Sequence, residues 1–173
     1  MWWFRLTVGM ALLAVAGCGF RPLYGERADS VRDRLAAITI NQIRDRIAHE
    51  DRIGYEVYNQ LRDNLNPRGV RATPLYSLAV QLTTDTTPLI TERDTQIRRF
   101  DLTVRARYSL FDIATGGQMH SGAYRATASY NVLENTVFAT RMAEEDAARK
   151  AAREVSRGIT TALALYFERH GKN

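Results

Sequence analysis

An α+β fold is predicted for this chain of 173 residues: a two-layer sandwich, with a four-stranded mixed sheet carrying two helices on one face. Three observations predict it. Three successive segments alternate apolar and polar residues with period two, the pattern of an antiparallel meander with one packed face. Two longer segments repeat apolar residues every four positions, as helices covering such a face do. One of those helices falls between the first strand and the other three, so that connection is a crossover and the sheet is mixed. The element order is β-α-β-β-β-α.

The first strand signal is Leu35 to Ile43, where Ile38 and Ile40 alternate with Thr39 and Asn41. A helix follows over about 50–65, with Ile53, Val57, Leu61 and Leu65 as its stripe and Asn66-Pro67-Arg68-Gly69 as its stop. The second strand runs from Tyr76 to Thr84, with Leu78, Val80 and Leu82 facing one way. Asp85 to Arg99 reads as a long connection. The third strand, Phe100 to Leu110, is the clearest: Phe100, Leu102, Val104, Ala106, Tyr108 and Leu110 share a face opposite Arg99, Asp101, Thr103, Arg105, Arg107 and Ser109. Thr115-Gly116-Gly117-Gln118 is a hairpin turn, and the return strand covers about 120–130 with Tyr124, Ala126 and Ala128 inward. The last helix covers about 135–169, with Asn135 as N-cap and Ala143, Ala147, Ala151, Val155, Ile159 and Leu163 as its stripe. Glu144, Glu145 and Asp146 read as acids complementing the helix dipole, and Gly158 as a place for a bend.

The formal charge is +5, and 22 of the 24 cations are arginine. Arginine makes flat bidentate contacts with phosphates and carboxylates, where lysine acts as a point charge; a GC-rich genome would produce the same bias through codon usage. A single cysteine excludes an internal disulfide framework and any Cys-rich zinc site. His49, His120 and His170 lack metal-ligand spacing. No nucleophile elbow, phosphate loop, dinucleotide fingerprint or zincin motif occurs, so the chain is not read as an enzyme.

The N-terminus assigns a compartment. Arg5 precedes an apolar run from Leu6 to Ala16, too short to span a bilayer and shaped like an export signal. Val15-Ala16-Gly17-Cys18 resembles a bacterial lipobox, with Val15 in place of the usual Leu. The alternative is an ordinary secretory signal with a stray cysteine. On the lipobox reading, residues 1–17 are the signal peptide, 18–34 the lipidated Cys18 and a polar tether, and 35–170 one α+β domain. Cys18 then carries a diacylglycerol and an acyl chain, which together anchor firmly; no other cofactor is expected. Gly19, in place of a retention Asp, favours the outer membrane. Export also removes nucleic acid as a partner for the basic surface.

The arginines are the remaining clue. Arg99, Arg105, Arg107 and Arg125 fall on polar strand faces. Arg93 and Arg98 fall in the connection before the third strand, among Leu89, Ile90 and Ile97. An anionic lipid needs that mixture, apolar surface for chains and guanidinium for phosphate. The alternative is a solvated face laced by ion pairs to Asp85, Asp94 and Asp101.

Taken together, the run Gly17-Cys18-Gly19-Phe20-Arg21-Pro22-Leu23-Tyr24-Gly25, the polar tether and the element order resemble the LPS-assembly lipoprotein family (LptE), in its alphaproteobacterial form. The resemblance implies a non-enzymatic outer-membrane lipoprotein. It would sit in the lumen of the LptD-type β-barrel as plug and assembly partner, and would bind lipopolysaccharide. It also implies that Arg93, with Arg98 and Arg99 beside it, is the lipopolysaccharide contact between the second and third strands. Arg141 is the counterpart of a second basic contact near the start of the last helix. A different role stays open, as a lipid-anchored periplasmic accessory subunit of another transport complex.

Overall fold

The computed structural model describes residues 26–41, 43–45, 51–89, 97–133 and 136–170. The elements are α1 (Glu26–Ala36), β1 (Ile38–Ile40), β2 (Arg44–Asp45), α2 (Asp51–Leu65), β3 (Tyr76–Leu89), β4 (Ile97–Asp112), β5 (Gln118–Leu133) and α3 (Val137–His170). The strand order is β1-β3-β4-β5, with β2 also on the outer side of β3. β1 and β2 run parallel to β3, whereas β3, β4 and β5 form the antiparallel meander. The expected α+β sandwich with a mixed sheet is therefore found, with α2 as the crossover.

Burial follows the predicted alternation. Leu78, Val80 and Leu82 of β3, Leu102, Val104, Ala106, Tyr108 and Leu110 of β4, and Ala126 of β5 are buried on the helix side. The α2 stripe Ile53, Val57, Leu61 and Leu65 meets them, as does the α3 stripe from Ala147 to Phe167. Phe167 lies 5.0 Å from Tyr76, ring centre to ring centre, and closes the core at the end where β3 begins. Ser156, the one buried polar residue in that core among the described residues, donates its hydroxyl to the Ala152 carbonyl at 2.8 Å. Among the described residues no helix lies over the opposite face of the sheet, and Arg105, Arg107, Arg125 and Thr127 on it are exposed.

The structure departs from the sequence reading in several places. Residues from Glu26 onward, expected as tether through residue 34, form the helix α1. Val31 and Leu35, one turn apart, give it just enough apolar surface to pack against the core. Leu35 and Ala36 belong to that helix, so the first strand is only three residues long. The supposed connection from Asp85 to Arg99 is strand at both ends, because β3 continues to Leu89 and β4 starts at Ile97. Arg98 is therefore a β4 residue paired with Val132 of β5 rather than part of the connection, and Arg99, expected on the polar face of that strand, pairs with Asn131.

α3 runs unbroken through Gly158. A Cβ there would overlap the ring of Tyr124 from β5, so this glycine is a slot for an aromatic side chain rather than a bend. Glu144, Glu145 and Asp146 lie two turns into α3, whose first turn carries no acid. The dipole effect fades beyond the first turn, and Glu145 and Asp146 serve ion pairs instead. Thr136 accepts the first turn's Thr140 N–H at its carbonyl, at 3.0 Å; the expected cap Asn135 lies outside the described residues.

Candidate functional site

Three places could bear a function: a cleft between two helices, the uncovered sheet face, and the end of the domain where β4 and α3 begin. The cleft lies between α2 and the first half of α3 and has a volume of about 290 Å³. Ile53, Leu102 and Ala148 supply its apolar lining. Its polar rim comes from the two helices: Arg52, Tyr55, Glu56 and Asn59 on α2, and Arg141, Glu144, Glu145 and Arg149 on α3.

Glu145 is the hub of that rim. Its carboxylate accepts from Arg52 at 2.6 Å, and Arg141 and Arg149 stand at 3.7 and 3.9 Å. Arg141 thus lines the cleft and pairs with Glu145 one turn away. Asp146 points elsewhere, to Lys150 at 2.7 Å, and that hydrogen bond, with Arg149 and Arg153 nearby, holds its carboxyl below the usual range. On the sheet beneath, burial and then the charge of Glu144 push the Tyr130 hydroxyl up, and Tyr130 stacks on Phe100 at 5.7 Å. Three arginines and three glutamates line the cleft, so its formal charge cancels. An anion gains little net attraction there, although each guanidinium keeps donors that one carboxylate cannot satisfy.

The uncovered face differs. Among the described residues of β3, β4 and β5, Arg99, Arg105, Arg107 and Arg125 share it with Asp85 and Asp101, leaving an excess of positive charge. Asp85 pairs with Arg105, and Asp101 accepts from Ser129 at 2.6 Å. The ion-pair reading of this face therefore holds for one arginine; Arg99, Arg107 and Arg125 form no ion pair among the described residues. Asp94 lies outside them.

At the third place, Ile97 of β4 pairs with Leu133 of β5, and α3 starts four residues later in the chain at Val137, so the start of β4 and the start of α3 share one end of the domain. Val137 and Phe138 are 85% and 77% exposed there, with Met142 and Leu89 also exposed. Arg99 lies on the uncovered face of this end, and Arg141 on the helix above the other face. The structure thus brings Arg99 and Arg141 to one end but not to one surface. For Arg98 the backbone position is described; Arg93 and Cys18 lie outside the described residues.

Among the described residues, no three His, Cys, Asp or Glu side chains gather as a metal set, and no helix is long and apolar enough to cross a membrane. His120 and His170 each stack on Tyr166, at 4.8 and 4.4 Å. The Glu145 hub escaped sequence reading because Arg52 and Glu145 are 93 positions apart. The only sequence signal for it was an i, i+4 series of charges at Arg141, Glu145 and Arg149.

A protein-family model described as LptE, lipopolysaccharide-assembly, matches residues 27–163. The protein RP188 of Rickettsia prowazekii (strain Madrid E) is 28% identical over 155 residues, covering 90% of this chain and 92% of the relative. A crystal structure of a lipoprotein from Caulobacter crescentus CB15 is similar at 25% identity and a TM-score of 0.60, over 81% of this chain and 96% of that one. The minor lipoprotein of Acinetobacter baumannii shares the fold at 14% identity and a TM-score of 0.55, over 76% and 94% of the two chains. Rare lipoprotein B of Shewanella oneidensis shares it at 10% identity and a TM-score of 0.53, over 77% and 99%.

Proposed function

The chain belongs to the LptE lipopolysaccharide-assembly family, and on that premise we propose that it is an outer-membrane lipoprotein of the lipopolysaccharide translocon. It is held by lipid on Cys18, plugs and helps assemble an LptD-type β-barrel from inside its lumen, and binds lipopolysaccharide directly. It performs no catalysis. The observation that carries the lipid half is the end of the domain where β4 and α3 begin. There Arg141 lies on the same helix as the exposed Val137, Phe138 and Met142, and Arg99 lies at the same end on the open face of the sheet. Guanidinium groups fit the phosphates of the headgroup, and the apolar side chains fit its acyl chains. Arg93 and Arg98, one within the β3–β4 connection and one at the start of β4, extend the cationic set.

The test compares lipopolysaccharide binding by the full chain in mild detergent with that of an Arg93→Ala/Arg98→Ala/Arg99→Ala variant and an Arg141→Ala variant. The triple variant is expected to lose at least about tenfold in affinity, and the single one about threefold. Equal binding by all three proteins rejects the site. For the plug half, the barrel is expected to co-purify with the chain after mild extraction. Co-fractionation with a different transport complex would select the accessory-subunit reading instead.

A further inference from the structure

We propose that the outer edge of β5 is a docking edge for an extended, acidic strand of another protein. β5 is the terminal strand of the sheet, 16 residues long, and pairs only with β4 among the described residues. In an antiparallel edge strand roughly half of the residues aim their N–H and C=O groups outward with no ladder partner. Exposed edges of this kind are normally shortened, bulged, or guarded by Lys or Pro.

The two edges of this sheet are treated differently. On the β3 side the edge is broken into β1 and β2, of three and two residues. It is also bulged: Ile40 to Arg44 advances four residues while Leu78 to Gln81 advances three. β5 has none of these guards along its length. It holds no Pro and no Lys, its open-face side chains other than Arg125 and Asn131 are small (Ser121, Ala123, Thr127 and Ser129), and its one register shift lies at its start, beside Leu110 and Phe111. α3 covers it from the helix side only, so Ser121, Ala123, Arg125, Thr127, Ser129 and Asn131 are exposed on the other face.

Charge selects the occupant. Arg125 stands directly opposite Arg105 in the ladder, and Arg107 is the next open-face residue along β4. Like charges directly opposite each other are unfavourable. Asp85 answers Arg105, and no carboxylate among the described residues answers Arg125. A second copy of this chain adding its own β5 parallel and in register would bring another Arg125 beside the first. A strand with Asp or Glu on its open face would instead set a carboxylate opposite Arg125 while its backbone completes the ladder. That is strand addition, with main-chain bonds giving affinity and alternate side chains giving specificity.

The experiment uses the full chain in mild detergent and a synthetic peptide of about ten residues, alternating Thr and Glu, long enough for a typical strand. Its twin has the same side chains with alternate backbone nitrogens methylated, and a third peptide has Lys for Glu. The acidic peptide is expected to bind saturably and to slow hydrogen exchange at the outward β5 amides about tenfold or more. The methylated twin and the Lys peptide should bind at least about tenfold more weakly. Arg125→Glu, an exposed substitution, should reverse the preference between Glu and Lys peptides. Equal binding of the methylated twin, or binding without slowed β5 exchange, overturns the proposal. So does slow exchange of those amides before any peptide is added, since the edge would then already be occupied. Dimerisation through β5 overturns the choice of partner. None of these readouts depends on lipopolysaccharide or on the barrel.

Discussion

Replacing Gly158 with alanine is expected to destabilise the domain by about 1–3 kcal/mol, although the same change in an ordinary helix interior stabilises. The added methyl group would overlap the Tyr124 ring, whose hydroxyl donates to Glu154 of the same helix at 3.4 Å. Chemical denaturation checks this, and in a Tyr124→Ala background the sign should revert to the helical preference. At the β4–β5 turn, Asp112 accepts from the Thr115 backbone N–H at 2.8 Å and from its hydroxyl at 3.1 Å. Those bonds hold its carboxyl below the ordinary value of 3.8. A lowered folded pKa means the stabilisation is complete above the unfolded pKa and is lost as pH falls through the folded one. The stability gap between the wild type and Asp112→Ala should therefore hold at neutral pH and close in acid below about 3.8. At this scale strand residues were legible from parity alone: Arg99, Arg105 and Arg107 fall on the uncovered face where alternation puts them. Gly158 was misread because its reason lies in a ring from another element, far away in sequence.

Among the elements, β4 was the easiest to read, since six alternating apolar residues face a column of polar ones. β3 past Thr84 was harder to read. Its continuation Asp85-Thr86-Thr87-Pro88-Leu89 has almost no apolar contrast, and its pairing with β4 rather than its own pattern makes it strand. α1 was missed for a related reason, because Val31 and Leu35 are too few to register as a stripe among nine other residues, most of them polar or charged. The α2–α3 contact was legible as two stripes but not as an ion-pair hub. Glu145→Gln should cost less than about 1 kcal/mol, because its partners are largely exposed, and added salt should shrink the difference. Leu163→Ala, in the fully buried α3 stripe, should cost about 2–5 kcal/mol by thermal or chemical unfolding. The two substitutions lie on one helix and separate its electrostatic contribution from its packing contribution.

For the whole molecule, the sequence supports anchoring through residues that precede the folded domain. Cys18→Ala is expected to move the full chain from the membrane fraction to the soluble fraction and to abolish labelling by a fatty-acid probe, both checked by fractionation. The layered fold, the crossover and the core stripes were all visible as periodicity, which depends on neighbours within one segment. The cleft, the charge-balanced rim and the unguarded edge were not, because each depends on which segments the topology brings together. Among the described residues the sheet is asymmetric in consequence: helices cover one face, the arginine-rich face carries none, and only one edge is broken up.

The contact between Phe167 and Tyr76 also has a consequence in time. It joins the last helical turns to the strand that begins the meander, and Ile159 and Leu163 lie in the same core. A chain still emerging end-first from a ribosome or a membrane pore lacks those turns, so β3 and β4 have apolar faces without their cover. Contacts between such distant segments form late. Completion of the fold therefore waits for those last helical turns, and a chain exported as proposed above would stay threadable until they had crossed.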